Sequence, residues 1–180
     1  MYSSYKPTHD VIGKYGKKPG EFDHPNSVCY DYDNQYMVVS DTCNHRIQLF
    51  NTKTLLQFHS MFGSEGYLHG QFRCPRGICI QPFTRHLLIC DSGNDRIQVC
   101  NTIDNDFSFL YQIGCMSEYK GQFNYPSGIC CDEKGHILVA DTYNHRIQEF
   151  NESGRFLHLF GSIGSLLDQF HTPNGICFDK

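Results

Sequence analysis

Tryptophan is missing from the 180 residues and alanine occurs once, at Ala140. So little alanine makes a helical protein a poor expectation, and an aromatic core has to come from the 14 Phe and 11 Tyr, supplemented by 10 Cys. No run approaches the ~18 apolar residues of a spanning helix. The opening residues, MYSSYKPTHDVIG, have none of the apolar stretch that a secretory signal carries. These two absences predict a soluble, cytoplasmic protein that does not engage a membrane. No Cys-x-x-Cys pair occurs, which argues against a zinc or redox site. Neither sign of charge dominates, the formal net charge being −4, so net charge announces neither a nucleic-acid coat nor a membrane-hugging protein.

What is present is a repeat. The stretch DTCNHRIQLFN from Asp41 returns as DSGNDRIQVCN from Asp91 and as DTYNHRIQEFN from Asp141, a period of about 50 residues. Such a period marks a propeller blade or a solenoid unit, which buries its faces only by stacking on neighbours. A second pattern, F-x-x-P, runs from Phe22 to Pro25, Phe72 to Pro75, Phe123 to Pro126 and Phe170 to Pro173. Proline cannot donate to a strand ladder, so each one is expected at a strand start. The segment VIGKYG at 11–16 matches the repeat tails FHSMFG at 58–63, FLYQIG at 109–114 and FLHLFG at 156–161, so the chain is expected to begin partway through a blade.

Each full repeat predicts four short strands separated by turns rich in Asp, Asn and Gly. They fall at 27–32, 36–41, 46–51 and 55–62, then 77–81, 87–91, 96–100 and 107–113, then 128–132, 137–141, 146–151 and 156–160, with a further inner strand at 175–179. The expected architecture is an all-β partial propeller. Residues 1–21 hold the last strand of a preceding blade and its connecting loop. Residues 22–63, 64–114 and 115–161 are blades, and 162–180 open a further, truncated one. Three whole blades do not close a ring, since propellers have about four to eight. The chain is therefore expected to be a fragment of a larger ring, with completion by a second copy as the alternative.

Cys79, Cys130 and Cys177 share the position G-I-C, and Cys29 the matching S-V-C. Repetition at one phase is expected to give reduced thiols in equivalent packing slots rather than disulfides. In the recurring turn, Asp41, Asn44 and Arg46, with Asp91, Asn94 and Arg96 and with Asp141, Asn144 and Arg146, are expected to make a repeated internal bond. The alternative is that these tips bind a ligand. His45 and His145 raise the option of an axial metal site, but Asp95 stands at the third phase, and two ligands fall short of a catalytic zinc centre. A satisfied structural histidine is the better expectation, and no metal or cofactor is anticipated.

The loop entering the first strand and the turn after the second should emerge on one face. That face collects Asn26, Arg76, Ser127 and Asn174 after the prolines, and Cys43, Gly93 and Tyr143 in the turns. These positions vary while the scaffold does not, as expected for loops that carry specificity, although neutral surface drift gives the same variation. Candidate contacts on this face are Asn26, Cys43, Arg73, Arg76, Tyr125, Ser127, Tyr143 and Asn174. A protein partner is one expectation. Single-stranded or looped RNA is the other, with Arg73, Arg76, Lys17, Lys18 and Lys120 on phosphates and Tyr125 or Tyr143 for stacking. The mixed charge of these loops favours the protein slightly. No nucleophile and base pair and no phosphate-binding glycine loop is found, so no small-molecule substrate is expected.

Phe-x-x-Pro-x-Gly-Ile, a strand ending Val139-Ala140-Asp141, and Thr-x-Asn-His-Arg-Ile-Gln-x-Phe together resemble the NHL repeat, with Asn44-His45-Arg46 and Asn144-His145-Arg146 as its naming letters. The second repeat departs from the pattern at Asp95 and Cys100. The resemblance implies a propeller like those of tripartite-motif and other RING-type ubiquitin ligases, which bind RNA or protein without catalysis. It also brings in, as a remote alternative, a metal-dependent lyase propeller. No RING, B-box or coiled coil lies in these residues, so ligase chemistry would have to reside elsewhere in a longer chain.

Overall fold

The computed structural model describes residues 12–103 and 107–179. They form three four-stranded antiparallel sheets, each a meander in sequence order. The first holds β1 (Pro25–Asp31), β2 (Tyr36–Asp41), β3 (Arg46–Asn51) and β4 (Gln57–Phe62). The second holds β5 (Pro75–Ile80), β6 (Leu87–Asp91), β7 (Arg96–Cys100) and β8 (Phe109–Ile113). The third holds β9 (Pro126–Cys131), β10 (Ile137–Asp141), β11 (Arg146–Phe150) and β12 (Phe156–Phe160). The fold is all-β, and the prolines open β1, β5 and β9, where a missing N–H costs no ladder bond.

Two apolar layers lie between the sheets. Val38, Ile47 and Leu49 of the first sheet pack with Ile78, Leu87 and Ile89 of the second. Leu88, Cys90, Ile97 and Val99 turn the other way, onto Ile129, Ile137, Val139 and Phe150 of the third. The middle sheet is thus buried on both faces, which is why β6 reads as a nearly continuous apolar run, Leu87-Leu88-Ile89-Cys90, rather than an alternating one. The innermost strands β1, β5 and β9 lie side by side. They come so close that a Cβ on Gly77 would stand 2.3 Å from the Ser127 carbonyl oxygen, and one on Gly128 2.2 Å from that of Asn174.

Several expectations are corrected. The outer strand predicted at 11–16 begins outside the described residues, and 12–16 carry no strand. The match to 58–63 is also out of phase. Tyr15 bridges Phe22 as Glu65 bridges Phe72, so Gly13, not Gly16, is the counterpart of Gly63. The predicted strand at 55–62 starts at Gln57, because Leu55 and Leu56 take left-handed φ of 53° and 59° after a turn. Residues 175–179 form no strand: inner strands here pair only with the second strand of their own sheet, and the described residues include none for this segment. The described cysteines are free, but their slots are not equivalent. Cys90 and Cys100 are buried, whereas Cys29, Cys79 and Cys130 are half-buried and Cys177 is exposed.

Candidate recognition face

The turn after the second strand of each sheet is built around one buried carboxylate. Asp41 accepts the Asp23 N–H at 2.7 Å, Arg46 Nε at 2.7 Å, Asn44 Nδ2 at 3.0 Å and Gln48 Nε2 at 2.9 Å. The same donors then reach outward to backbone. Arg46 donates to the carbonyls of Lys17, Lys18 and Glu21, and Asn44 to that of Gly16. Asp91 repeats the arrangement with the Arg73 N–H, Asn94, Arg96 and Gln98, and Asp141 with the Asn124 N–H, Asn144, Arg146 and Gln148. Each ion pair therefore ties the loop arriving from the previous outer strand to the face of its own sheet. At Asp141, burial pushes the carboxyl up, against donors that pull it down.

Two further positions went unassigned in the sequence, and a third, the histidine, was expected to be a satisfied structural group. Gln48, Gln98 and Gln148 are fully buried, and each also accepts the glycine N–H of the loop, at Gly20, Gly70 and Gly121. Thr42, Ser92 and Thr142 donate to the carbonyls of Pro75, Pro126 and Pro173 at the start of the next sheet or segment. Next to them, His45 Nδ1 accepts the Cys74 N–H at 3.0 Å, Asp95 Oδ1 the Tyr125 N–H at 2.7 Å and His145 Nδ1 the Thr172 N–H at 3.1 Å. The histidines are latches between neighbours, and Asp95 serves the same purpose because an acceptor is all the latch requires. The donors precede the prolines in left-handed conformation, with φ of 50°, 54° and 51°, a geometry that costs about 1–2 kcal/mol for an L side chain. Recurrence of D-[TS]-x-N-[HD]-R-I-Q at one phase was the available signal for all three.

On this rigid support the expected contact residues separate into three groups. Asn26, Ser127 and Asn174 line a depression of about 290 Å³ at the hub, with Gly77 and Gly128. Asn26 and Asn174 are exposed there. Ser127 is buried, its hydroxyl bonded to Thr142 Oγ1 and to the Asn174 carbonyl, so its polar group is already committed. Arg76, Tyr125 and Tyr143 meet between the second and third sheets. The Tyr rings stack at 5.0 Å with an 18° interplanar angle, and the Arg76 guanidinium lies 4.9 Å from the Tyr125 centroid. Tyr143 is 53% exposed, and the buried Nε of Arg76 has no hydrogen-bond partner among the described residues. Arg73 is exposed on the second sheet's tip, and Cys43 on the first beside Asp23 and His24. Of the proposed phosphate contacts, Lys17 and Lys18 border the Arg46 clamp through their carbonyls.

The profile of the NHL repeat matches residues 22–50 and 123–150. Protein brain tumor of Drosophila melanogaster is 28% identical over 83% of this chain and 14% of its own length. The E3 ubiquitin-protein ligase TRIM71 of Xenopus tropicalis is 40% identical over 25% of this chain and 6% of its own. The chain thus spans a small part of the curated relatives it matches. A solved structure of Kuenenia stuttgartiensis hydrazine synthase superposes with a TM-score of 0.64 at 14% identity, covering 95% of this chain and 41% of that one; at that identity the likeness concerns the fold alone. Among the described residues no helix is long and apolar enough to cross a membrane. With its stacked four-stranded sheets and its thrice-built Asp, Asn and Arg clamp, the chain carries NHL repeats at 22–50 and 123–150 on a β-propeller fold.

Proposed function

We propose that the chain is a non-catalytic recognition module that docks a cytoplasmic protein on the face carrying Arg73, Arg76, Tyr125 and Tyr143, as the substrate-selecting part of a ubiquitin ligase. The observation behind this reading is the stack of Arg76, Tyr125 and Tyr143. Tyr and Arg dominate binding hot spots because they offer large, stiff contact area with a polar handle. Here the half-buried Tyr125 ring is held between Arg76 and Tyr143, and the Tyr143 ring is open. The ligase association rests on the relatives' names and stands or falls separately from the docking face.

A pull-down tests the face. The chain and an Arg76→Glu, Tyr143→Ala double variant are compared, with Lys134→Glu, in the turn between β9 and β10 at the opposite end of the sheet, as control. Partners retained by the control and lost by the double variant support the face; a partner set unchanged in the double variant, with the same melting temperature, refutes it. The same stack favours a second reading, looped RNA with a base on Tyr143, since every base offers a π-face. RNA retained at low salt and released steeply as salt rises would select that reading.

A further inference from the structure

A backbone strap brings the same positions together at each sheet's tip. The Cys43 N–H donates to the Asp23 carbonyl at 3.0 Å, that of Gly93 to Arg73 at 2.8 Å and that of Tyr143 to Asn124 at 3.1 Å. In the third sheet these seats and the adjoining pre-proline position hold the stacked Tyr125 and Tyr143. In the second they hold Arg73, Cys74 and Gly93. In the first they hold Asp23, His24 and Cys43, one donor atom of each lying within 4.8 Å of the others.

We propose that Asp23, His24 and Cys43 bind a single divalent cation of the zinc class, leaving one coordination position open to solvent. Carboxylate oxygen, imidazole nitrogen and thiolate sulfur together suit a borderline-soft ion, and three protein ligands are the usual number where one position stays open. Asp23 Oδ1 and His24 Nδ1 are hydrogen-bonded to each other at 2.5 Å, a contact that the cation would replace. Asp23 is not on a free loop: its N–H is donated to the buried Asp41 carboxylate at 2.7 Å, so a ligand is anchored directly on the internal clamp, as a preorganised site requires. The ligands bind in their deprotonated forms, so cation binding strengthens as pH rises. The site is independent of any macromolecular partner and goes beyond the recognition role proposed above.

The reduced, metal-free chain is titrated with Co²⁺ while the thiolate-to-cobalt charge-transfer band is followed. One saturable equivalent, displaced by Zn²⁺, is expected. Cys43→Ser removes the band and His24→Ala weakens binding by tenfold or more, a loss of about 1.4 kcal/mol or more; Cys115→Ser, at another exposed thiol, leaves both unchanged. Absence of a saturable equivalent, a band that survives Cys43→Ser, or equal loss with Cys115→Ser overturns the proposal. A measurement on the unaltered chain guards against misfolded variants: one equivalent of Zn²⁺ should shield Cys43, and not Cys115, from alkylation mapped by mass spectrometry. Equal alkylation of Cys43 with and without Zn²⁺ also overturns it.

Discussion

His45 Nδ1 accepts the backbone N–H of Cys74 across the gap between the first and second sheets, at 3.0 Å. Nδ1 supplies the lone pair for that bond. One sheet further on, Asp95 Oδ1 does the same for Tyr125 at 2.7 Å. Two residues with little in common as ions are interchangeable here, because the geometry asks only for a lone pair at that point.

His45→Asp should therefore leave stability within about 0.5 kcal/mol of the original. His45→Ala leaves a partly buried N–H unpaired and should cost about 1–3 kcal/mol. Urea denaturation of the two variants, compared at constant slope, checks the ordering.

Removing the clamp should be far more costly. Asp91→Ala strands Arg96 beside a backbone it can only partly satisfy, and breaking a buried pair in this way costs about 3–5 kcal/mol. The loss should appear first in the arriving loop: hydrogen exchange at Gly70, whose N–H donates to Gln98 at 2.9 Å, should speed up well before exchange in β6. Unchanged protection at Gly70 would show that the loop does not depend on the carboxylate.

Close approach at the hub gives a contrast between glycines of the same motif. Gly77→Ala and Gly128→Ala place a methyl against backbone carbonyls 2.3 and 2.2 Å away and should cost about 1–3 kcal/mol each through overpacking. Gly175→Ala meets nothing within 4 Å and should be neutral. Thermal melts of the three variants give the comparison.

Buried thiols make the fold sensitive to alkali. Burial pushes Cys100 up to about 12 from an ordinary 9.0, and burial together with Asp31 does the same for Cys29. Between these values the folded chain keeps protons that the unfolded chain has released. The thiols' contribution is therefore intact below pH 9 and is lost as pH rises toward 12, at ~1.4 kcal/mol per pH unit for each thiol. Denaturation midpoints at pH 8 and pH 10 should differ accordingly, and Cys100→Val should flatten the dependence. Below pH 9, thiol reagents should reach Cys115 and leave Cys90 and Cys100 untouched until the chain unfolds.

The strands were largely legible from residue order. β2, β3, β6, β7, β10 and β12 begin and end where the repeat pattern places them, because a short run of β-branched and aliphatic residues bounded by Asp or Asn leaves little freedom. Inner strands start two residues earlier than expected, at the prolines. The ambiguous ends were those governed by left-handed residues such as Leu55, where local composition conflicts with the turn actually adopted. The phase of residues 11–16 was misread because two glycines in VIGKYG compete for one slot, and only the Tyr15 and Phe22 bridge decides between them.

By its sequence alone this protein was determined to be a repeated four-stranded unit with a recurring turn, since period and hydrophobic order are properties of the chain itself. Tertiary structure decided what the turn residues do. The carboxylate of Asp91, the lone pair of His45 and the hydroxyl of Thr42 act on groups 18 to 33 residues away. It also decided that Arg76, Tyr125 and Tyr143 form one surface while Ser127 is spent inside. Such pairings depend on how far apart neighbouring sheets settle, a distance set by the volume of the apolar side chains between them and not written in the spacing of the residues that meet.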